Sequence, residues 1–227
     1  GGGGVAARKA EIAVVKTDSE NQKPLAGVVF TLYQWDSAGN TRGLPFARGT
    51  TDAQGKLSFK VKPGAVYELV EEQSIPGYGS ALGWEQLPPN VTATDQGLLI
   101  TAGAARSKLE LALTNEAHTA DIVFRLLNHS GIPMAGTTVQ LFTFDPTGMT
   151  DPVPAMEAAV AADGKLRFSG VRRGALYYLR QPDGEILKVD IPAELSKEPT
   201  IEQPGGTKVT LTEDYQATGT AEPEQQW

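Results

Sequence analysis

The chain has 227 residues, 40% of them hydrophobic, which suffices for one large domain or two ordinary domains with packed cores. Its net charge of −7 argues against a protein that binds nucleic acid or an anionic membrane surface, because both normally present a basic face. The absence of cysteine excludes disulfides and thiolate metal sites.

Strand signals dominate the chain after an opening run of four glycines, which predicts a flexible leader or cloning scar over residues 1–10. Short alternating apolar runs, separated by glycine, proline, asparagine and aspartate, are typical of β-strands. They fall at 12–16, 28–33, 56–61, 66–70, 108–114, 122–127, 138–144, 165–168, 176–180, 187–191 and 207–212. Helical periodicity is limited to one candidate turn within 152–162. The chain is therefore predicted to be all-β, as a sandwich or a barrel.

Several motifs occur twice in the same order, about 110 residues apart. Pro-x-Ala-Gly stands at 24–27 and 133–136, Gly-Lys-Leu-x-Phe at 55–59 and 164–168, and Gly-Ala-x-Tyr-x-Leu at 64–69 and 174–179. The apolar run 111–114 is matched with 209–212, where the spacing shortens. This repetition predicts two homologous domains, residues 11–117 and 120–216, followed by a polar tail at 217–227.

Three apolar rows of the first repeat each end in a polar residue on the same strand face, because alternate side chains of a strand point the same way. Lys16 ends the row 12, 14 and 16, Glu71 ends the row 67, 69 and 71, and Asn115 ends the row 109 to 115. An unpaired charge in a core is costly. The residues alone leave open whether these groups reach solvent, form a buried ion pair with a hydrogen-bonded amide, or react.

An ordered set of motifs in the first repeat resembles a known family. It comprises Lys16 on the first strand, Pro-Leu-Ala-Gly-x-x-Phe-x-Leu-Tyr at 24–33, Thr-Asp-x-x-Gly-Lys at 51–56 and Lys-Pro-Gly-x-x-Tyr-x-Leu-x-Glu at 62–71. Pro-Gly-Tyr at 76–78 and Leu-Thr-Asn at 113–115 complete it. The set resembles the Cna B-type domain, also called SpaA-like or prealbumin-like, of Gram-positive surface proteins and pilins. The resemblance implies two tandem Ig-like (prealbumin-like) β-sandwich domains.

The resemblance also implies chemistry, because the lysine and asparagine of this family commonly form an intramolecular isopeptide bond with the help of a glutamate. Carried over, Lys16 is the nucleophile, Asn115 the electrophile and Glu71 the proton shuttle. The adjacent Glu72 is the rival for the shuttle role, but alternation points it to the opposite face. Such a reaction occurs once per molecule, so no enzyme activity is expected.

The second repeat replaces all three reactive residues. The alignment places Arg125 at the position of Lys16, Gln181 at that of Glu71, and Glu213 at that of Asn115. Arginine stays protonated and glutamate has no amide to lose, so no isopeptide bond is expected there. Arg125 and Glu213 either form a salt bridge with Gln181 bonded to it, or face solvent separately.

The leading function implied by the resemblance is a structural stalk or pilin module, extracellular and at the cell wall or cell surface. Its partners would be neighbouring domains of a longer surface protein, or pilus subunits. One alternative is an adhesin module that binds a host protein or glycan, with Trp84 in the long connection 77–97 as its candidate contact. The other is an accessory domain of an extracellular enzyme. No cofactor or metal is expected, since calcium-loop spacing and phosphate loops are absent. No nucleic-acid or membrane contact is expected, because the net charge is acidic.

Overall fold

The computed structural model describes residues 8–143, 153–182, 184–203, 205–210 and 216–220. Within these ranges every regular element is a β-strand, which confirms the predicted all-β class. The chain divides between Ala117 and His118 into two compact units, here called the first and the second domain. No helix in the described part of the chain has the length and apolarity to span a membrane.

The first domain is a sandwich of a three-stranded and a five-stranded sheet. Its strands are β1 (Ala10–Asp18), β2 (Val29–Asp36), β3 (Thr41–Thr50), β4 (Lys56–Val61), β5 (Val66–Gln73), β6 (Val91–Ala93), β7 (Leu98–Thr101) and β8 (Lys108–Asn115). The smaller sheet has the order β4-β1-β8, and the larger sheet has the order β3-β2-β5-β7-β6. Because β1 pairs in parallel with β8, the first and last strands of the domain are neighbours.

Side-chain alternation builds the core between these two sheets. Ile12 and Val14 on β1 belong to one buried cluster with Phe30 on β2 and Leu69 on β5. Burying each of these side chains stabilises the fold by about 1.5–3 kcal/mol. The same alternation carries Lys16 into the core, since it shares the face of Ile12 and Val14.

A glycine turn between β3 and β4 fixes the backbone beside Lys16. Gly55 has a φ of 75° and its carbonyl accepts a hydrogen bond from the Lys16 N–H at 2.7 Å. A Cβ at this position would clash with the carbonyl oxygen of Lys16. The glycine of the Thr-Asp-x-x-Gly-Lys motif is thus required both for its dihedral angle and for close approach of two backbones.

The second domain repeats the sandwich with a three-stranded and a six-stranded sheet. Its strands are β9 (Thr119–Leu127), β10 (Thr138–Thr143), β11 (Met156–Ala159), β12 (Lys165–Arg172), β13 (Ala175–Arg180), β14 (Ile186–Ile191), β15 (Thr200–Glu202), β16 (Lys208–Thr210) and β17 (Gln216–Thr220). The sheet orders are β12-β9-β17 and β11-β10-β13-β14-β15-β16. β9 pairs in parallel with β17, as β1 does with β8.

The end of the second domain differs from its prediction. Residues 209–212 are predicted to match 111–114 in the last strand of the first domain, but β16 pairs with β15 in the six-stranded sheet. The strand that pairs with β9 is β17, so residues 217–220 belong to a sheet and not to a tail. Residues 211–215 and 221–227 lie outside the described part of the chain. The match failed because it compared local alternation, which does not encode which strand is the neighbour.

Two smaller corrections concern the leader and the candidate helical turn, and the end of one predicted strand is not described. Ala10, predicted to lie in the leader, is part of β1 and only 1% exposed. The candidate helical turn within 152–162 is replaced by strand β11, which pairs with β10, and residue 152 lies outside the described ranges. Phe144, at the end of the predicted strand 138–144, also lies outside them.

Candidate crosslinking site

The three polar residues that end the apolar rows of the first domain come together in its core. Lys16 lies on β1, Asn115 at the end of β8, and Glu71 on β5 of the facing sheet. Lys16 is 0% and Asn115 1% exposed, and the Glu71 side chain is 2% exposed. The interpretation in which each side chain reaches solvent is therefore wrong, and the site bridges both sheets.

The Glu71 carboxylate contacts both of its neighbours. Lys16 Nζ lies 2.8 Å from Glu71 Oε1, and Asn115 Nδ2 donates a hydrogen bond to Glu71 Oε2 at 3.0 Å. Lys16 Nζ also donates to the carbonyl of Thr114 at 2.9 Å, one residue before Asn115. Within the described structure Glu71 Oε1 accepts no well-directed hydrogen bond, so its contact with Lys16 is an ion pair. A single carboxyl group thus sits between the amine and the amide nitrogen.

Burial alters the acid–base behaviour of the lysine. Removal from water lowers the pKa of Lys16 to about 8, although the adjacent Glu71 carboxylate partly opposes this by favouring the ammonium. The ring of Phe30 adds an apolar wall, with its centroid 5.6 Å from Nζ. The neutral amine, which is the nucleophilic form, is therefore far more accessible than for a lysine in water.

Glu72 lies on the opposite face of the same strand. Its Oε1 accepts a hydrogen bond from the Tyr33 hydroxyl at 2.6 Å, in an exposed position on the outside of the sandwich. Alternation along β5 thus separates the two neighbouring glutamates, and only Glu71 faces Lys16 and Asn115.

Three further polar residues surround the cluster and were not singled out from the sequence. Ser74 Oγ accepts a hydrogen bond from Asn115 Nδ2 at 3.1 Å, and the Tyr78 hydroxyl donates to Asp18 Oδ2 at 2.8 Å. Asp18 shares the buried face of Lys16, so alternation alone could have found it. Ser74 follows the end of β5, where alternation gives no signal.

The second domain places a different residue at the position of Lys16. The N–H of Leu126 donates to the Gly164 carbonyl at 2.8 Å, as the N–H of Lys16 does to Gly55. Leu126 is buried, whereas Arg125 is exposed and donates to the carbonyl of Asp163 at 3.2 Å. The predicted match of Lys16 with Arg125 is therefore wrong by one residue.

The cause of this slip is a shorter loop. An isolated β-bridge near the end of the first strand joins Thr17 to Pro24 in the first domain and Leu127 to Pro133 in the second. The two bridged residues are one position closer in sequence in the second domain. Counting back from the proline motif therefore misplaces every residue of β9 by one, and a one-residue shift exchanges the two faces of a strand.

Gln181 does occupy the position of Glu71. In both domains a tyrosine hydroxyl accepts a hydrogen bond at 2.9 Å from a backbone N–H five residues earlier, which aligns Tyr177 with Tyr67 and thus Gln181 with Glu71. Gln181 is 3% exposed, and its Oε1 has no hydrogen-bond partner among the described residues. Glu213 lies outside the described ranges, and with it the predicted pairing of Glu213 with Arg125.

A cleft of about 290 Å³ opens beside Glu71 in the first domain. Trp84 and Leu82 line one part of it, and Asp95 and Gly97 line another. Trp84 is partly buried and also packs against the core cluster. Among the described residues, no group of three or more His, Asp or Glu side chains is arranged to hold a metal ion.

Comparison with known families decides the nature of the first domain. The family model of the SpaA prealbumin-like fold domain matches residues 10–102. Residues 10–102 form a SpaA-type prealbumin-like domain. This confirms the resemblance carried by the motifs of the first repeat, and the match ends before β8, which brings Asn115 to the site.

Solved structures of two pilins and of one further protein match most of the chain at low sequence identity. A streptococcal ancillary pilin is 15% identical, with 97% of this chain and 64% of that chain covered and a TM-score of 0.39. The Bacillus anthracis TIE protein is 13% identical, with 94% and 34% covered and a TM-score of 0.46. The shaft pilin SpaA from Lactobacillus rhamnosus GG is 14% identical, with 98% and 100% covered and a TM-score of 0.36.

The chain is shorter than two of these proteins, since it spans 64% of the ancillary pilin and 34% of the TIE protein. At TM-scores this low, the likenesses support no conclusion about the function of this chain. No curated protein matches the sequence.

Proposed function

We propose that this chain is a structural stalk or pilin module of a cell-surface protein, and that its SpaA-type domain locks itself with a Lys16–Asn115 isopeptide bond. The observation that carries the proposal is the buried cluster of Lys16, Glu71 and Asn115, in which one carboxylate contacts both the amine and the amide. The bond joins the first and the last strand of the domain, so a pull on its two ends acts on a covalent link.

The chemistry is an exchange of one amide for another. Lys16 Nζ forms a bond with Asn115 Cγ, the bond from Cγ to Nδ2 breaks, and ammonia leaves. Nζ gives up two protons: one reaches Nδ2, and the other remains on Glu71 or departs with ammonia as ammonium. Glu71 lies within contact distance of both nitrogens, so it can take a proton from one and deliver it to the other. The fixed geometry supplies the proximity that an intermolecular reaction lacks.

The expected gain in stability is large for a single bond. It closes a loop of roughly 100 residues, and a disulfide that closes such a loop stabilises by about 4–5 kcal/mol. The bond also replaces a buried ammonium with a neutral amide, which removes a charge from an apolar core. Neither effect requires a ligand, which suits a module whose task is to resist unfolding.

Intact mass spectrometry of the purified chain tests the bond directly. We expect a mass one ammonia below that of the sequence, and a proteolytic peptide in which the segments around Lys16 and Asn115 are joined. A full sequence mass, with the two residues recovered in separate peptides, would sink the proposal. A Lys16→Arg variant is the negative control, because arginine keeps the charge but cannot act as an amine nucleophile.

The proposal extends to location and partners. A self-crosslinking sandwich without turnover suits an extracellular position at the cell wall or cell surface, where neighbouring domains or pilus subunits would be its contacts. In the second domain the buried Leu126 and Gln181 replace the nucleophile and the proton shuttle, which supports the proposal that it forms no such bond. Surface labelling of intact cells that express the full-length protein tests the location.

A binding module is the second candidate, and the cleft at Trp84 favours it. An aromatic side chain beside Asp95 and Gln96 offers both apolar and polar contacts to a host glycan or peptide. Saturable quenching or enhancement of tryptophan fluorescence by a glycan or peptide panel would support binding. Loss of that signal in a Gln96→Ala variant would place it in the cleft.

A further inference from the structure

The amide of Asn115 is held through its nitrogen. Nδ2 has two hydrogens, one donated to Glu71 Oε2 at 3.0 Å and the other to Ser74 Oγ at 3.1 Å. The carbonyl oxygen Oδ1 is buried and has no hydrogen-bond partner in the described structure. The orientation of the amide therefore depends on two acceptors, Glu71 and Ser74.

The Ser74 hydroxyl is itself fixed by the turn that follows it. Its oxygen lies 2.9 Å from the Gly79 carbonyl and 3.4 Å from the Tyr78 carbonyl, so its single hydrogen is directed at that turn. The Gly79 N–H in turn donates to the carbonyl of Glu116 at 2.9 Å. Since the hydroxyl hydrogen is committed to the turn, Ser74 presents a lone pair to Asn115 Nδ2.

We propose that Ser74 is a further residue of the bond-forming reaction, which rests on the proposed function of the site. It accepts a hydrogen bond from the leaving nitrogen and holds that nitrogen against the Glu71 carboxyl. As Nδ2 gains a proton and develops positive charge, its hydrogen bond to a preorganised oxygen strengthens. Ser74 gains and loses no proton overall, since the Nζ–Cγ bond forms and the Cγ–Nδ2 bond breaks with Glu71 carrying the proton.

The geometry favours this role over simple closure of the turn. A serine that only closed the turn would satisfy the Gly79 carbonyl and leave the amide to other groups. Here the same oxygen also contacts the one nitrogen that must depart. The hydrogen bond from the Gly79 N–H to the Glu116 carbonyl connects the turn after Ser74 to the residue that follows β8.

Timed mass spectrometry tests the proposal on the full chain. Chains made in a short cell-free translation are chased for increasing times and quenched in acid, and the fraction lighter by one ammonia gives the rate. Ser74→Ala is expected to react roughly tenfold more slowly, because one of two acceptors for the leaving nitrogen is lost. Ser74→Thr keeps the hydroxyl and is expected to restore most of the rate. Ser80→Ala, at an exposed position in the same connection, is the matched control and should react as wild type.

The pH profile separates positioning from general disruption of the core. Ser74→Ala should lower the rate by the same factor at every pH, because Lys16 and Glu71 stay buried. A shifted profile without rescue by threonine would mean that the substitution acts by repacking the site, which overturns the proposal. An unchanged rate in Ser74→Ala would overturn it too while leaving the crosslink intact. If wild type itself loses no ammonia, the proposed function fails and this inference with it.

Discussion

Lys16 and Glu71 place opposite charges in an apolar core, with side chains that are 0% and 2% exposed. A buried ion pair recovers the cost of leaving water only when its remaining polar atoms are hydrogen-bonded. In the described structure Asn115 Oδ1, beside this pair, has no hydrogen-bond partner. The arrangement is therefore a poor stabilising element but a suitable reactant state, because amide formation removes the ammonium charge.

The two neighbouring glutamates allow a controlled test of the proton shuttle. Glu71→Gln keeps the size of the side chain but cannot carry a proton between the nitrogens, so we expect its mass to stay at the sequence value. Glu72→Gln should lose one ammonia as wild type does, because Glu72 bonds Tyr33 on the other face. Intact mass spectrometry of both variants checks this. Loss of ammonia from Glu71→Gln would show that another group moves the proton.

The pH dependence of the proposed reaction follows from the lysine. With the pKa of Lys16 at about 8, the fraction of neutral amine, which is the nucleophilic form, rises about tenfold per pH unit below that pH and levels off above it. We therefore expect the rate to rise toward about pH 8 and to become constant above it. The timed mass assay at neutral and alkaline pH measures it. A rate that falls as the pH rises through this range would contradict the neutral amine as the attacking form.

At the scale of elements, the turn at Gly55 holds β1 in place through the hydrogen bond from the Lys16 N–H to the Gly55 carbonyl. Gly55→Ala combines an unfavourable φ with a clash against the Lys16 carbonyl, so we expect it to destabilise the first domain by about 2–4 kcal/mol. Gly64→Ala is the matched control: its φ of 73° is similar, but no atom lies within 4 Å of the added Cβ, so only about 1–2 kcal/mol should be lost. Chemical denaturation in a Lys16→Arg background measures both. Equal losses of stability in the two variants would show that the structure relaxes and relieves the clash between the new Cβ and the Lys16 carbonyl.

Local alternation made part of this site predictable. It placed Lys16, Glu71 and Asn115 on inward faces, and all three are buried within one cluster. It also separated Glu71 from Glu72, because adjacent residues of a strand always point to opposite faces. These properties belong to single strands and need no knowledge of their neighbours.

Pairing between distant strands was not predictable in the same way. The partner of β9 is β17, yet residues 209–212 repeat the pattern of 111–114 and so predict the last strand at the wrong place. Because the loop after β9 is one residue shorter than the loop after β1, the residue that corresponds to Lys16 is the buried Leu126 and not the exposed Arg125. Neither the neighbour of a strand nor its register is encoded in its own residues when a repeat tolerates loop changes.

At the scale of the molecule, the two domains are expected to differ in stability. Asn115→Ala removes the amide of the proposed crosslink, so the first domain should lose about 4–5 kcal/mol of unfolding free energy while the second is unchanged. Hydrogen exchange read by mass spectrometry resolves the domains separately. Asn90→Ala is the control, because its amide bonds the carbonyl of Thr101 in an exposed position of the same domain. An equal effect of both variants would argue against a crosslink at Asn115.

The proposed Lys16–Asn115 bond would give the two domains different extensibility under tension, although both pair their first and last strands in parallel. With Lys16 joined to Asn115, residues 17–114 form a closed side loop, and stretching the chain cannot draw them out. The second domain has the same pairing of β9 with β17 but lacks the lysine, so unfolding it would release roughly 3.3–3.6 Å for each residue freed. Such a molecule combines a segment of fixed contour length with one that lengthens, and a single-molecule pulling trace should show one unfolding step where two domains are stretched.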